Sequence, residues 1–149
     1  MVKEGRKNVW EEIGVLEDSI SELLKLHRTL DSLGEKYNLP EKVIHDANIV
    51  MEEALVNIIN YAYENKEEKH KILFRLKIEN GDLVLNIEDD GRPFNPLSAP
   101  EPDLNIPIEE REIGGLGVYL IRQLAKSVSY ARHDTKNILT IKISIDHNE

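Results

Sequence analysis

Apolar residues recur at helical spacing along the first half of the chain. Residues 8–15 predict a strand, and residues 16–37 then carry the i, i+3, i+4 spacing of an amphipathic helix. Residues 38–40 end in a proline and predict a break before a second helix, which we expect over residues 41–64. The apolar stripe of this second helix consists of Val43, Ala47, Val50, Met51, Ala54, Leu55, Ile58 and Ala62.

Alternating apolar and polar positions in the second half predict two β-hairpins. The first joins residues 72–78 to residues 83–87 through Asn80-Gly81, a pair favoured in two-residue hairpin turns. The second joins residues 128–132 to residues 139–145. With the helices, this order predicts an α+β fold, a two-layer α/β sandwich with a mixed, mainly antiparallel sheet and helices on one face.

The two hairpins are separated by a proline-rich segment and a glycine turn. Residues 93–113 contain five prolines and no periodicity, so they predict a long loop, which in a compact domain is usually a functional lid or disordered. The turn Gly114-Gly115-Leu116-Gly117 then opens a helix. No repeat or flexible linker divides the chain, so we expect residues 1–149 to form one domain.

Composition argues against several classes of protein. The 28 acidic and 19 basic residues give a net charge of −9, which disfavours nucleic-acid binding. The absence of cysteine excludes a disulfide framework and suits the reducing cytoplasm, where we expect the protein. Apolar runs are too short to span a membrane, and residues 1–6 lack the apolar core of a signal peptide. The five histidines do not cluster, so none is assigned to a metal.

Three polar or glycine-rich sites are candidates for chemistry. Glu53 and Asn57 lie four apart on the second helix, about 40° apart around its axis, although surface helices commonly carry such pairs. Asp89 ends a strand, where its carboxylate can accept hydrogen bonds from an exocyclic amine. Gly91, two residues later, permits close approach of a flat ligand, although Asp-Gly is also an ordinary turn. The glycine turn aims backbone amides at an anion, or is simply a flexible helix entry.

The order of these three sites along the chain, and the elements on which they lie, together resemble those of a known family. The segments are Glu53-Ala54-Leu55-Val56-Asn57-Ile58-Ile59-Asn60-Tyr61-Ala62-Tyr63, Asp89-Asp90-Gly91-Arg92-Pro93-Phe94-Asn95-Pro96 and Gly114-Gly115-Leu116-Gly117. They resemble those of the Bergerat-fold ATPases, and the chain looks most like the small bacterial anti-sigma-factor serine kinases. The resemblance covers about residues 40–146.

This resemblance implies ATP and Mg²⁺ as cofactors. Glu53 would be the general base, and Asn57 the single protein ligand of Mg²⁺, which keeps waters and phosphate oxygens as its other ligands. Asp89 would hold the adenine amino group with Gly91 beside the base. Asn137 falls where many relatives have a threonine that supports the adenine-binding carboxylate.

The glycine turn and the loop before it would hold the phosphates. Gly114, Gly115, Leu116 and Gly117 would form the phosphate cradle under a lid of about residues 97–113. Arg111 would reach a terminal phosphate, unless it belongs to a solvated charge run with its acidic neighbours. The sequence also departs from the family: Pro93 replaces a second glycine of the adenine-binding loop, and Tyr61 replaces a common histidine.

The resemblance implies a cytoplasmic regulator that binds a sigma factor, or phosphorylates a serine of an anti-sigma antagonist. It also implies a homodimer, because the relatives are commonly dimeric. Two alternatives stay open: a non-catalytic module switched by ATP, and a stand-alone ATPase domain of a histidine kinase system. No partnership with nucleic acid or a membrane is expected.

Overall fold

The computed structural model describes residues 11–17, 22–62, 71–98 and 115–145, which form three α-helices and five strands. The elements are β1 (Glu11–Glu17), α1 (Glu22–Lys36), α2 (Glu41–Asn57), β2 (Lys71–Glu79), β3 (Asp82–Asp89), α3 (Gly115–Leu124), β4 (Ser127–His133) and β5 (Lys136–Ser144). Most of the predicted lid, residues 99–113, lies outside the described residues. The predicted order of elements is confirmed.

The five strands form one antiparallel sheet in the order β1-β2-β3-β5-β4. Each described pairing is antiparallel. The described sheet is therefore fully antiparallel, whereas a mixed, mainly antiparallel sheet was expected. The Asn80-Gly81 hairpin is confirmed: both residues have positive φ, 55° and 82°, as a type I′ turn requires.

The pairing of β3 with β5 brings two polar side chains together at one end of the sheet. Because β5 is inserted between β3 and β4, its first residues run beside the last residues of β3. Asp89, at the end of β3, is directly opposite Asn137, near the start of β5. Residues opposite one another on one face have side chains in contact range, so the topology itself joins these two groups.

The core lies between the helices and one face of the sheet. Alternate residues of β2 and β5 are buried, as expected for strands with one face against helices. The largest buried side chain is Phe74 on β2, which shares the core with Leu26 and Leu30 of α1 and with Ile121 of α3. These contacts confirm the α+β sandwich with its helices on one face.

One predicted boundary was wrong, and one predicted helix is not regular over its whole described length. Leu16 was expected in the first helix, but β1 extends to Glu17 because it continues its antiparallel pairing with β2 as far as Lys71. The second helix is regular only to Asn57 and continues as a π-helical turn, Ile58–Ala62. Within the described ranges, no helix has the length and apolarity needed to cross a bilayer.

Candidate functional site

A cleft with apolar walls lies where α2, α3 and the ends of β3, β4 and β5 meet. Its walls are formed by Ala54 of α2, Ile58 of the π-helical turn after α2, Ile121 of α3 and Leu139 of β5. Asn57, Asp89 and Asn137 add their polar groups to the same cleft. Apolar walls with a few converging polar groups are typical of small-molecule sites. The structure thus brings together three residues that the sequence placed on separate elements.

Asn57 places a side-chain amide in this cleft without a partner for its nitrogen. The residue is 5% exposed, and its Nδ2 makes no hydrogen bond within the described part of the chain. A buried polar group without a partner costs about 1–3 kcal/mol. Because Oδ1 and Nδ2 exchange on a 180° turn of the amide, the same position can present an oxygen. An amide whose nitrogen lacks a partner, and whose oxygen can turn to that position, therefore fits the role of a cation ligand.

Glu53 lies one helical turn before Asn57, partly buried and outside the cleft lining. Burial raises the pKa of Glu53, and the neighbouring Glu52 carboxylate raises it further. A carboxylate whose pKa is shifted toward neutrality accepts a proton more readily at working pH. The raised pKa of Glu53 is the feature that suits a candidate base.

Asp89 is 4% exposed and is held through one of its two oxygens. Its Oδ1 accepts from the Gly91 backbone N–H at 2.8 Å and from Asn137 Nδ2 at 2.9 Å. Burial raises the pKa of Asp89, and these two hydrogen bonds partly offset that effect. Both hydrogen bonds that the described residues give to this carboxylate end on Oδ1, so Oδ2 is left to accept from a ligand.

The loop after β3 lies tightly against the π-helical turn of α2. A Cβ on Gly91 would lie 2.4 Å from the Ala62 carbonyl oxygen, so no larger residue fits without a shift of backbone. Arg92 donates from its backbone N–H to the Ala62 carbonyl and from Nε to the Tyr61 carbonyl, both at 2.8 Å. The Tyr61 ring stacks on Phe94, with centroids 5.5 Å apart. Close approach, not turn geometry, explains the glycine.

The remaining candidate residues are placed only in part. Pro93 is exposed in the loop between Arg92 and Phe94 and is not one of the residues that line the cleft. Gly115, Leu116 and Gly117 form the first turn of α3, so the helix begins within the glycine turn rather than after it. Backbone N–H groups of a first helical turn have no partner within the helix, as an anion site needs. Arg111 and Gly114 lie outside the described residues.

Sequence reasoning missed two residues of this site, Tyr130 and Arg132 of β4. Tyr130 lines the cleft and donates to Asn137 Oδ1 at 2.5 Å. Arg132 donates through Nη1 to the Gly91 carbonyl at 2.8 Å and to Asn137 Oδ1 at 3.1 Å. Their spacing of two along a strand is the signal that places both on one face. That signal becomes informative only once the register opposite Asn137 is known.

The fold described above is shared by a known family of domains. The sequence pattern of the histidine kinase-like ATPase domain family matches residues 17–143. The chain therefore belongs to the histidine kinase-like ATPase domain family.

Curated relatives include serine kinases of about 30% identity. The serine/threonine-protein kinase BtrW of Bordetella bronchiseptica is 31% identical over 90 residues, covering 60% of this chain and 63% of that protein. The serine-protein kinase RsbW of Bacillus mycoides is 28% identical over 103 residues, covering 66% and 63%. The chain thus spans 63% of the length of either relative.

Solved structures support the same fold. The RsbU and RsbW domains of a Mycobacterium tuberculosis protein match with a TM-score of 0.60 and 12% identity, covering 89% of this chain and 32% of that one. The histidine kinase domain of a blue-light-activated histidine kinase from Erythrobacter litoralis matches with a TM-score of 0.52 and 18% identity, covering 83% and 60%.

Proposed function

We propose that this chain binds Mg-ATP in the cleft and transfers the terminal phosphate to a serine of a protein, as an anti-sigma-factor serine kinase would. The observation that carries the proposal is the convergence of Asn57, Asp89 and Asn137 in one cleft of a histidine kinase-like ATPase domain. The names of the curated relatives favour a serine as the acceptor. The sigma factor or anti-sigma antagonist as partner, the cytoplasmic location and the homodimer rest on the family resemblance.

Each residue has a distinct task in this proposal. Asp89 accepts a hydrogen bond from the adenine amino group at Oδ2, and the Gly91 backbone N–H holds Oδ1 in place. Asn57 contributes a ligand to Mg²⁺, and the first turn of α3 donates backbone N–H groups to phosphate oxygens. Bound Mg-ATP supplies the phosphoryl group and the cation that neutralises its charge.

Glu53 would remove the proton from the serine hydroxyl. Its raised pKa suits that task, because an efficient base has a pKa near the working pH. Phosphoryl transfer otherwise depends on positioning and charge, both of which the cleft can supply. The local amides of α3 also offset the repulsion between the triphosphate and a chain of net charge −9.

The test is phosphate transfer from labelled ATP to proteins that co-purify with the chain, in the parent and in Glu53→Gln. Glutamine keeps the size of the side chain but cannot accept the proton, so turnover should fall about 10²- to 10⁴-fold while Mg-ATP affinity stays within a few-fold. Glu35→Gln, an exposed site on α1 with the same charge change, is the matched control and should retain parental turnover.

One result would contradict the kinase proposal, and a second would contradict only the role given to Glu53. The first is a parent that binds Mg-ATP but neither transfers nor hydrolyses phosphate, which would favour the module switched by ATP. The second is a Glu53→Gln variant with parental turnover, which would remove Glu53 from the role of base.

A further inference from the structure

The Asn137 side chain is the centre of the hydrogen-bond network behind the cleft, and its neighbours allow the amide only one orientation. Arg132 Nη1 and the Phe94 backbone N–H are obligate donors, and both face Oδ1, at 3.1 and 3.3 Å. The Arg92 carbonyl is an obligate acceptor, and it faces Nδ2 at 2.8 Å. A flipped amide would set donor against donor and acceptor against acceptor, so the oxygen must face β4.

This fixed orientation determines how Asp89 is presented. With its oxygen toward β4, Asn137 can offer only N–H groups to the Asp89 carboxylate. Together with the Gly91 backbone N–H, it occupies Oδ1 with two donors. The carboxylate is thereby held in one rotation, and Oδ2 is the oxygen that accepts from a ligand.

We propose that Tyr130 and Arg132 are positioning residues that set purine selectivity by orienting Asn137. This inference rests on the proposed function, because it assumes that Asp89 meets the 6-position of the purine. Tyr130 donates to Asn137 Oδ1, and Arg132 joins that same oxygen to the Gly91 carbonyl. Neither residue needs to touch the adenine amino group, since both act through the amide.

The geometry also explains why both Tyr130 and Arg132 donate to Asn137. Asn137 is 4% exposed, so few waters can replace a lost donor at Oδ1. The Arg132 bond is charge-assisted and therefore stronger than a neutral one. Without one of these donors, Oδ1 is held by fewer hydrogen bonds, the longest of which is the 3.3 Å bond from the Phe94 N–H. The amide then departs more often from its fixed orientation, and in those molecules its carbonyl oxygen faces the Asp89 carboxylate and disfavours the charged, accepting form.

The experiment compares the affinities of ATP and ITP in Tyr130→Phe and Arg132→Met. These nucleotides differ at the purine 6-position, an amine in one and a carbonyl in the other. The parent should prefer ATP, and each variant should reduce the ratio of the two affinities about three- to tenfold, as expected for loss of one buried hydrogen bond. General destabilisation would weaken both nucleotides equally and leave the ratio unchanged.

Matched controls are Tyr37→Phe, at the end of α1, and Arg75→Met, on the sheet face away from the helices. Both should keep the parental ratio. A second readout needs no nucleotide: the side-chain NH₂ signals of Asn137 should be resolved and slow to exchange with solvent in the parent, and should broaden or exchange faster in both β4 variants.

The outcomes separate this inference from the proposed function. A parent that binds neither nucleotide overturns both. A parent that prefers ATP, with variants that keep its ratio and its Asn137 signals, overturns only the positioning role. A reduced ratio together with altered Asn137 signals supports it.

Discussion

Substitution of Asp89 by asparagine should change the preferred purine without unfolding the protein. The introduced side chain can keep its oxygen at the position of Oδ1, where it accepts from Gly91 and from Asn137 as the carboxylate does. Its amide nitrogen then takes the position of Oδ2. An acceptor that faces the ligand is thus replaced by a donor, with almost no change in shape.

The magnitude follows from the hydrogen bond that is lost. A bond to a charged acceptor is worth about 1.5–3 kcal/mol, so ATP affinity should fall roughly ten- to hundredfold. ITP presents a carbonyl that accepts from the new N–H, and its affinity should hold or rise. The ratio of the two affinities should therefore move toward ITP by at least the factor lost for ATP.

The stability of Asp89→Asn should hold or rise, although its affinity for ATP falls. Because burial raises the pKa of Asp89, its ionisation is less favourable in the folded chain than in the unfolded one. The neutral form of Asp89 therefore stabilises the folded chain at pH values below the pKa that this carboxyl has in the unfolded chain. That stabilisation is lost as the pH rises through the higher pKa of the folded chain. A neutral amide at this position does not titrate, so Asp89→Asn should be at least as stable as the parent at neutral pH, with a flatter dependence on pH.

Competition binding of ATP and ITP, with urea unfolding at several pH values, tests both parts. Protonation of Asp89 itself should act like the substitution, because Oδ1 faces two donors and the proton must reside on Oδ2. The parent should thus lose its preference for ATP in acid, whereas the ratio of ATP to ITP affinity in the variant should not change with pH. Parental ATP affinity in Asp89→Asn would refute the assignment of this carboxylate to adenine.

Two further substitutions follow from the packing of the site. Gly91→Ala sets a Cβ against the Ala62 carbonyl oxygen, so it should lower the free energy of unfolding by about 1–3 kcal/mol and weaken ATP binding. In the control Gly34→Ala the Cβ crowds the Ile44 side chain at a position outside the cleft lining, so stability should fall while ATP affinity stays parental. Asn57→Ala should lower Mg-ATP affinity about ten- to hundredfold without loss of stability, since it removes an unpaired buried nitrogen; equal affinity with and without this amide would exclude it as a ligand.

The elements of this fold were predictable because their signals are local. The Asn80-Gly81 turn and the alternation around it fix the first hairpin, and the register of that hairpin follows from the turn itself. The candidate residues Asn57 and Asp89 were found from motifs that lie within single elements.

The relation between distant elements could not be predicted in the same way. Nothing local indicates that β5 lies between β3 and β4, yet that order is what sets Asp89 opposite Asn137. The roles of Tyr130 and Arg132 depend on this register, so they became visible only in three dimensions. The π-helical turn that meets the loop after β3 likewise has no sequence signature.

Titration of ¹⁵N-labelled protein with Mg-ATP tests the central claim most directly, that the cleft between α2, α3 and the sheet is the nucleotide site. We expect saturable shifts in the side-chain amides of Asn57 and Asn137 and in the Gly91 backbone amide. The side-chain amide of Asn86, bonded to Thr140 on the other face of the sheet, should stay unchanged as the internal control. Absence of saturation, or shifts that leave Asn57, Gly91 and Asn137 unaffected, would contradict the account.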